Sequence, residues 1–177
     1  MTVFITAPHA GCFKNLPQRH CDRLAEEAAL SLRSLLPNSE IFIGRVFRGD
    51  LDLNRDESLD HPFRVEIREL AEELQPTILL DVHSFPEKDT NFGDIDIAIL
   101  DEKPGTDYGH DLHRYLRDNT TYRISYFSGI NNSIMEEMRE MGTPAILIEY
   151  RESMTDNDLA TINNIIVDWL FERGYLE

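Results

Sequence analysis

The chain has 177 residues, a length that suits one domain, and we expect residues 1–177 to form a single compact unit. Its 17 lysines and arginines against 33 aspartates and glutamates give a formal net charge of −16, which repels phosphate backbones and anionic lipids. We therefore expect neither nucleic acid nor a membrane as a partner. No apolar stretch approaches the roughly 20 residues that cross a bilayer, so a soluble protein is expected.

The start of the chain and its cysteines bear on location. Residues 1–9 begin directly with a strand pattern and lack the basic start and long apolar run of a secretion signal, which predicts a cytoplasmic protein. Cys12 and Cys21 are too few for a disulfide scaffold. We expect free thiols, with a pairing across the short loop between them as the alternative.

Strand and helix patterns alternate along the chain. The apolar spacing predicts strands at 2–6, 40–47, 77–82, 95–100, 122–127 and 144–148, and helices at about 19–36, 62–74, 106–119, 133–141 and 156–173. This alternation favours a sheet that is covered by helices on both faces. We predict an α/β fold, a three-layer α/β/α sandwich around a mostly parallel or mixed sheet.

Polar residues follow three of the most apolar strands. His9 comes after the first strand, Asp81 and His83 come at the end of the third, and Glu149 comes at the end of the last. Burying an imidazole and a carboxylate is unfavourable unless they are paired or bind a cation. Because ligands of open α/β sheets gather beyond the carboxyl ends of the strands, these side chains predict a site at that edge, with Asp81 orienting the His83 ring.

A hydrolytic zinc site needs about three protein ligands, an open position and a nearby carboxylate base. His9 and His83 supply two nitrogen ligands. The third ligand is predicted to be Asp22, with Cys12 and His20 as alternatives that lie within reach in the sequence. The remaining histidines have simpler interpretations: His110 and His113 as part of a solvated helix face, and His61 as a residue at a helix start.

Arginines near the site can overcome the acidic field of the whole chain. Asn54 and Arg55 place an amide beside a guanidinium, a pair suited to holding a substrate carboxylate. Arg48 could reach the same cleft and stabilise a developing oxyanion. Glu149 should be poorly hydrated, which raises a carboxylate pKa toward that of a general base. The alternative is an ion pair between Glu149 and Arg151.

Four motifs occur in one order: Pro-His-Ala-Gly at 8–11, Asp-Leu-Asn-Arg-Asp at 52–56, Asp-Val-His-Ser-Phe at 81–85 and Ile-Glu-Tyr-Arg at 148–151. Together they resemble the N-formylglutamate amidohydrolase family and, more widely, the zinc carboxypeptidase superfamily. The resemblance implies hydrolysis of an amide next to a free carboxylate. It implies that His9, Asp22 and His83 are the zinc ligands and that Asn54 and Arg55 bind the carboxylate of the substrate. It also implies that Glu149 is the general base and that Arg48 is a further active-site arginine.

The chain departs from the carboxypeptidase pattern at one point, because Cys12 stands where the Glu of a His-x-x-Glu motif would be. The predicted function is a zinc-dependent amidohydrolase that acts on a small N-acyl amino acid, such as an N-formylglutamate-like compound, or on a short peptide with a free carboxylate. Two alternatives remain. One is a zinc peptidase or cell-wall amidase with a larger substrate, and the other is a catalytically silent relative that binds an anion through Arg48 and Arg55.

Overall fold

The computed structural model describes residues 1–12, 21–87, 89, 92–101 and 107–177. Within these residues, six strands form one sheet. The strands are β1 (Val3–Ala7), β2 (Ser39–Ile43), β3 (Ile78–Phe85), β4 (Ile97–Asp101), β5 (Ile124–Ser128) and β6 (Ala145–Arg151). Their order across the sheet is β2-β1-β3-β6-β4-β5.

Helices cover both faces of this sheet. The described helices are α1 (Ala25–Leu35), α2 (Pro62–Leu74), α3 (Asp107–Asn119), α4 (Ser133–Glu140) and α5 (Asp156–Glu172), with a short 3-10 turn at Asp56–Ser58. Helices α1, α3 and α5 pack on one face, and α2 and α4 pack on the other. The predicted three-layer α/β/α sandwich is therefore confirmed. Each described helix is too short or too polar to span a membrane.

The sheet is mixed, and its topology decides which loops meet. β2, β1, β3 and β6 run parallel to one another, β4 is antiparallel to β6, and β5 is parallel to β4. The carboxyl ends of four strands therefore share one edge of the sheet with the amino ends of β4 and β5. We call this edge the carboxyl edge.

Side chains alternate between the two faces along each strand, so the sheet has two cores. Ile5, Leu80 and Ile148 belong to the larger core under α1, α3 and α5. Leu79 and Leu147 belong to the smaller core under α2 and α4. Asp81 and His83 point to the same face of β3 as Leu79, and Glu149 points to the same face of β6 as Leu147. These three polar side chains therefore lie on the α2 and α4 face.

Several predicted elements have different ends in the structure. β3 continues to Phe85 because it pairs with β6 as far as Arg151, so His83 lies within the strand and not after it. β2 ends at Ile43, four residues earlier than predicted. The first helix begins at Ala25, which leaves Asp22 in the turn before the helix. Helix α2 has both of the predicted ends.

The loop after β2 lies directly against the loop after β1. The Gly44 N–H donates a hydrogen bond to the Ala7 carbonyl at 2.9 Å. A Cβ atom on Gly44 would lie 2.0 Å from the Pro8 carbonyl oxygen, so only glycine permits this approach. The contact brings residues 48–55 next to His9.

Candidate active site

His9, Asp22 and His83 meet at the carboxyl edge. They come from the loop after β1, the turn before α1 and the strand β3, and one ligand atom from each lies within 4.8 Å of the others. The Asp22 Oδ2 atom is 2.7 Å from His83 Nδ1 and 3.4 Å from His9 Nδ1. All three residues are buried. The Nδ1 atoms of both imidazoles thus face the same carboxylate oxygen.

A second carboxylate contacts the other nitrogen of each ring. His9 Nε2 is 2.7 Å from Asp52 Oδ1, and His83 Nε2 is 3.1 Å from Asp81 Oδ2. Ionised carboxylates only accept hydrogen bonds, so Nε2–H of each ring donates outward to its aspartate. This arrangement fixes the ring orientations and directs both Nδ1 atoms toward Asp22. The predicted contact between Asp81 and His83 is confirmed.

Asp81 is the centre of a buried hydrogen-bond network. Its side chain is 0% exposed and accepts bonds from the Thr6 hydroxyl at 2.6 Å, the Asn132 amide at 2.6 Å and the Asn54 amide at 3.2 Å. Burial alone would raise the pKa of Asp81, but His83 and these donors hold it below the usual value. Asp81 is therefore ionised at neutral pH and can hold the His83 ring in place.

The site electrostatics favour a proton or a cation between the imidazoles and Asp22. Burial would lower the pKa of His83, but the charge of Asp81 and the hydrogen bond to Asp22 hold it well above its usual value. Burial would likewise raise the pKa of Asp22, yet its contacts with His83 and His9 hold it well below the ordinary range. A proton on His83 Nδ1 accounts for its short contact with Asp22.

These residues fit a divalent metal ion. His9 Nδ1 is buried and has no hydrogen-bond partner among the described residues, which is unusual for a polar atom and expected for a metal ligand. Two imidazole nitrogens and one carboxylate are a donor set found in hydrolytic zinc sites. A metal ion would take the place of the His83 proton, because ligands must lose their protons to bind.

Glu149 lies in the same cleft, on β6 and directly opposite His83 of β3 in the sheet register. Its side chain is partly buried and has no hydrogen bond among those found in the described part of the chain. Burial raises the pKa of Glu149 to about 8. The alternative of an ion pair with Arg151 is not supported, since that guanidinium donates to the Ile95 and Gly93 carbonyls.

Two arginines reach the cleft, and both contact Asp52. Arg48 Nε is 3.3 Å from Asp52 Oδ2, and Arg55 Nε is 3.6 Å from the same oxygen. Arg55 also donates to the Asn131 carbonyl. Burial would raise the pKa of Asp52, but its hydrogen bond with His9 holds it well below the usual range. Asp52 thus links the first histidine to both cations.

The described residues enclose a small cleft with a volume of about 150 Å³. Every predicted site residue except Asp22 lines it, and Asp22 lies immediately behind the two histidines. The lining residues are His9, Arg48, Asn54, Arg55, His83, Leu100, Ile130, Asn131, Asn132, Leu147 and Glu149.

A buried arginine holds the loop at residues 52–58 against the helices. Arg64 of α2 is 0% exposed and donates to the Leu53 carbonyl, to Ser133 and to Glu137 of α4. The Asn54 carbonyl in turn accepts from the Ser133 N–H at 3.1 Å. The loop that carries Asp52 and Arg55 is therefore fixed by α2 and α4.

The expectation of free thiols is wrong in this structure. Cys12 and Cys21 form a disulfide, and their Cα atoms lie 5.3 Å apart, within the usual bonding range. Cys12 is therefore unavailable as the third ligand. The other alternative, His20, lies outside the described residues. Asp22 is the ligand candidate that the structure brings to both histidines.

Two site residues, Asp52 and Asn132, were not assigned a role from the sequence. Asp52 was visible as the first residue of the Asp-Leu-Asn-Arg motif, and a carboxylate two residues before Asn54 could have been considered as a partner for a histidine. Asn132 caps α4 through the Met135 N–H and also donates to Asp81. The only sequence signal for Asn132 is its position before a predicted helix.

The three other histidines that the structure describes lie away from this site. The rings of His110 and His113 stack on α3 near Tyr126. His110 is exposed, as expected for a solvated helix face, whereas His113 is partly buried. His61 caps α2 by accepting the Phe63 N–H at Nδ1, as expected for a residue at a helix start.

The fold is shared with structurally characterised proteins. No protein-family model matches the chain, and no curated protein matches it. The Agrobacterium tumefaciens gene product Atu2144 superimposes with a TM-score of 0.76 at 14% identity, covering 97% of this chain and 89% of that one. An N-formylglutamate amidohydrolase from Ralstonia eutropha JMP134 gives 0.63 at 14% identity, covering 97% and 94%.

A further neighbour is the catalytic domain of CwlV, an N-acetylmuramoyl-L-alanine amidase from Bacillus (Paenibacillus) polymyxa var. colistinus. It superimposes with a TM-score of 0.62 at 17% identity and covers 99% of both chains. At these identities the likenesses establish a common fold.

Proposed function

We propose that the protein is a zinc-dependent amidohydrolase that cleaves the amide bond of a small N-acyl amino acid with a free carboxylate. The observation that carries this proposal is the convergence of His9 Nδ1 and His83 Nδ1 on Asp22, in one cleft with Glu149 and two arginines. A metal-ligand set, a base of raised pKa and cations for an anionic substrate are the parts that amide hydrolysis requires.

His9, Asp22 and His83 would hold the metal, with Asp52 and Asp81 orienting the two rings. When bound there, zinc supplies a Lewis acid that polarises a carbonyl and makes water more acidic. Glu149 takes a proton from the attacking water and passes it to the leaving amine. Its desolvated carboxylate is suited to both transfers, since a base works best when its pKa lies near the working pH.

The arginines position the substrate. Arg55 binds the carboxylate, and Arg48 supports the oxygen that develops negative charge. Asn54 forms part of the cleft wall, with its side-chain amide donating to Asp81. A cleft of about 150 Å³ favours a small substrate. The structural likeness to an N-formylglutamate amidohydrolase supports the same class of reaction.

A cell-wall amidase is the second candidate, favoured by the likeness to the catalytic domain of an N-acetylmuramoyl-L-alanine amidase, which covers 99% of both chains. Muropeptides are much larger than N-acyl amino acids, so the two activities separate experimentally. Release of L-alanine peptides from peptidoglycan fragments, without turnover of N-formyl amino acids, would select this candidate.

The test is turnover of a panel of N-formyl amino acids, measured as formate release by zinc-loaded protein with and without a chelator. We expect chelator-sensitive hydrolysis and, for Glu149→Gln, retained zinc with a loss of activity of about 100-fold to 10,000-fold. Glu140→Gln, a change on the exposed end of α4, is the matched control and should behave as wild type. Full activity in Glu149→Gln would remove Glu149 as the base.

A further inference from the structure

The cleft has two chemically different sides. Arg48 and Arg55 lie on the side of Asp52, together with the metal-ligand candidates. The rest of the lining includes three apolar side chains, Leu100, Leu147 and Ile130, which we call the apolar side. None of these three side chains can form a hydrogen bond or an ion pair with a charged group.

Strand register places this apolar side directly beside Glu149. Leu147 precedes Glu149 by two residues on β6 and therefore points to the same face of the sheet. Leu100 of β4 pairs with Leu147, and the small side chain of Ala98 pairs with Glu149. Leu100 and Leu147 are 7% and 5% exposed. The floor of the cleft is thus an extension of the smaller core, next to the proposed base.

The apolar side also borders the carboxylate-binding side chain. Arg55 donates to the carbonyl of Asn131, whose neighbour in the chain is Ile130. The part of a substrate whose carboxylate binds Arg55 therefore lies beside Ile130. In an N-acyl amino acid, that part carries the amino-acid side chain. A carboxylate on this side chain would lose its hydration against Leu100 and Leu147. The two cations of the described lining, Arg48 and Arg55, are already engaged with the developing oxyanion and with the carboxylate next to the amide.

We propose that the cleft selects N-acyl amino acids with a branched apolar side chain, such as leucine or valine, over those with an acidic side chain. Leu100, Leu147 and Ile130 form the binding subsite for that side chain. This inference rests on the proposed function and narrows its substrate class, because N-formylglutamate would be a poor substrate.

The test compares two ligands of similar size that differ in charge, N-formyl-L-leucine and N-formyl-L-aspartate. Binding is measured by calorimetry on zinc-loaded Glu149→Gln protein, which leaves the ligands uncut. We expect the dissociation constant of the leucine compound to be lower by about tenfold or more. Equal binding, or tighter binding of the aspartate compound, would overturn the inference even if the wild-type enzyme hydrolyses amides. Absence of turnover in the wild type would instead overturn the proposed function.

Two substitutions locate the subsite. Leu147→Ala should bring the ratio of the two dissociation constants toward one, whereas Leu79→Ala should keep the ratio. Leu79 belongs to the same core and is fully buried, but it does not line the cleft. Ile130→Lys changes a partly buried loop position and so tests the subsite without a core cavity. It should reverse the preference toward the aspartate compound, and an unchanged ratio in both Leu147→Ala and Ile130→Lys would refute the assignment.

Discussion

Each candidate ligand histidine is held between two aspartates. His9 lies between Asp52 and Asp22, and His83 lies between Asp81 and Asp22. Sharing Asp22 aims both Nδ1 atoms at one point, while the outer aspartates fix the rings. The three aspartates carry more negative charge than the two imidazoles carry positive charge, and Arg48, Arg55 and a divalent cation would offset it.

A substitution at Asp52 is the simplest test of this arrangement. Asp52→Asn keeps the side-chain shape and removes the charge that orients His9, so zinc affinity should fall by about 10-fold to 100-fold. Asp50→Asn is the matched control, because Asp50 lies two residues earlier in the same loop and is exposed. Both variants are titrated with zinc in competition with a chromophoric chelator. Equal affinities in the two variants would exclude this role for Asp52.

The pH dependence of stability follows from Glu149. Its pKa is raised from 4.5 to about 8 in the folded protein. Between these values the folded chain keeps a proton that the unfolded chain has lost, so the free energy of unfolding falls as pH rises. The raised pKa of His83 acts in the same direction above its ordinary value of 6.5.

We therefore expect metal-free protein to lose stability from pH 5 toward pH 8, as measured by urea unfolding at several pH values. Glu149→Gln should show a clearly shallower loss over the same range. If the free energy of unfolding falls equally steeply with pH in both proteins, the Glu149 carboxyl is hydrated in the folded state. The account of its environment would then be wrong.

At the scale of elements, local patterns predicted most of the helices and strands. Helix α2 was predicted at both ends because Pro62 favours its first turn and Gln75 and Pro76 follow its last residue. Helix α5 begins at the predicted residue, Asp156, and Thr155 caps it through the Asp158 N–H. The end of β3 was not predictable from local sequence, since the strand continues as far as its neighbour β6 offers hydrogen-bond partners.

The disulfide connects the two segments that carry His9 and Asp22. Cys12 follows His9 by three residues, Cys21 directly precedes Asp22, and the Asp22 N–H donates to the His9 carbonyl at 3.0 Å. Replacing both cysteines by serine should lower the free energy of unfolding by about 3 kcal/mol. The unfolded chain is then no longer closed into a loop of ten residues, so it gains conformational entropy. Urea unfolding measures this change.

The same double variant should bind zinc more weakly, since two of its ligands are no longer held by the crosslink. Wild-type protein under a dithiol reductant serves as the control for the serine side chains and should lose the same stability. A double variant with wild-type stability and zinc affinity would show that the crosslink has no part in forming the site.

For the whole molecule, the order of strands explains why distant residues share one site. β1, β3 and β6 are neighbours and parallel, so His9, His83 and Glu149 come to the same edge, as the strand-end rule predicts. The contact between His9 and Asp52 could not be predicted from the sequence, because it joins residues 43 apart through the close approach of two loops. The reversed direction of β4 and β5 was likewise not specified by the alternating pattern.

The overall charge makes the two cleft arginines significant. In a chain with a net charge of −16, an anionic substrate is repelled by most of the surface. Arg48 and Arg55 lie together at the cleft, whereas Arg45 pairs with Glu26 on the surface. A cation bound by His9, Asp22 and His83 would add to their attraction for a carboxylate.

The most direct measurement is the zinc content of purified protein after loading and removal of excess metal. We predict about one zinc per chain for the wild type, as expected for a mononuclear site, and loss of this zinc in both His9→Ala and His83→Ala. His110→Ala, a change on the exposed face of α3, should retain it. A wild type that binds no zinc, or histidine variants that keep it, would contradict the account.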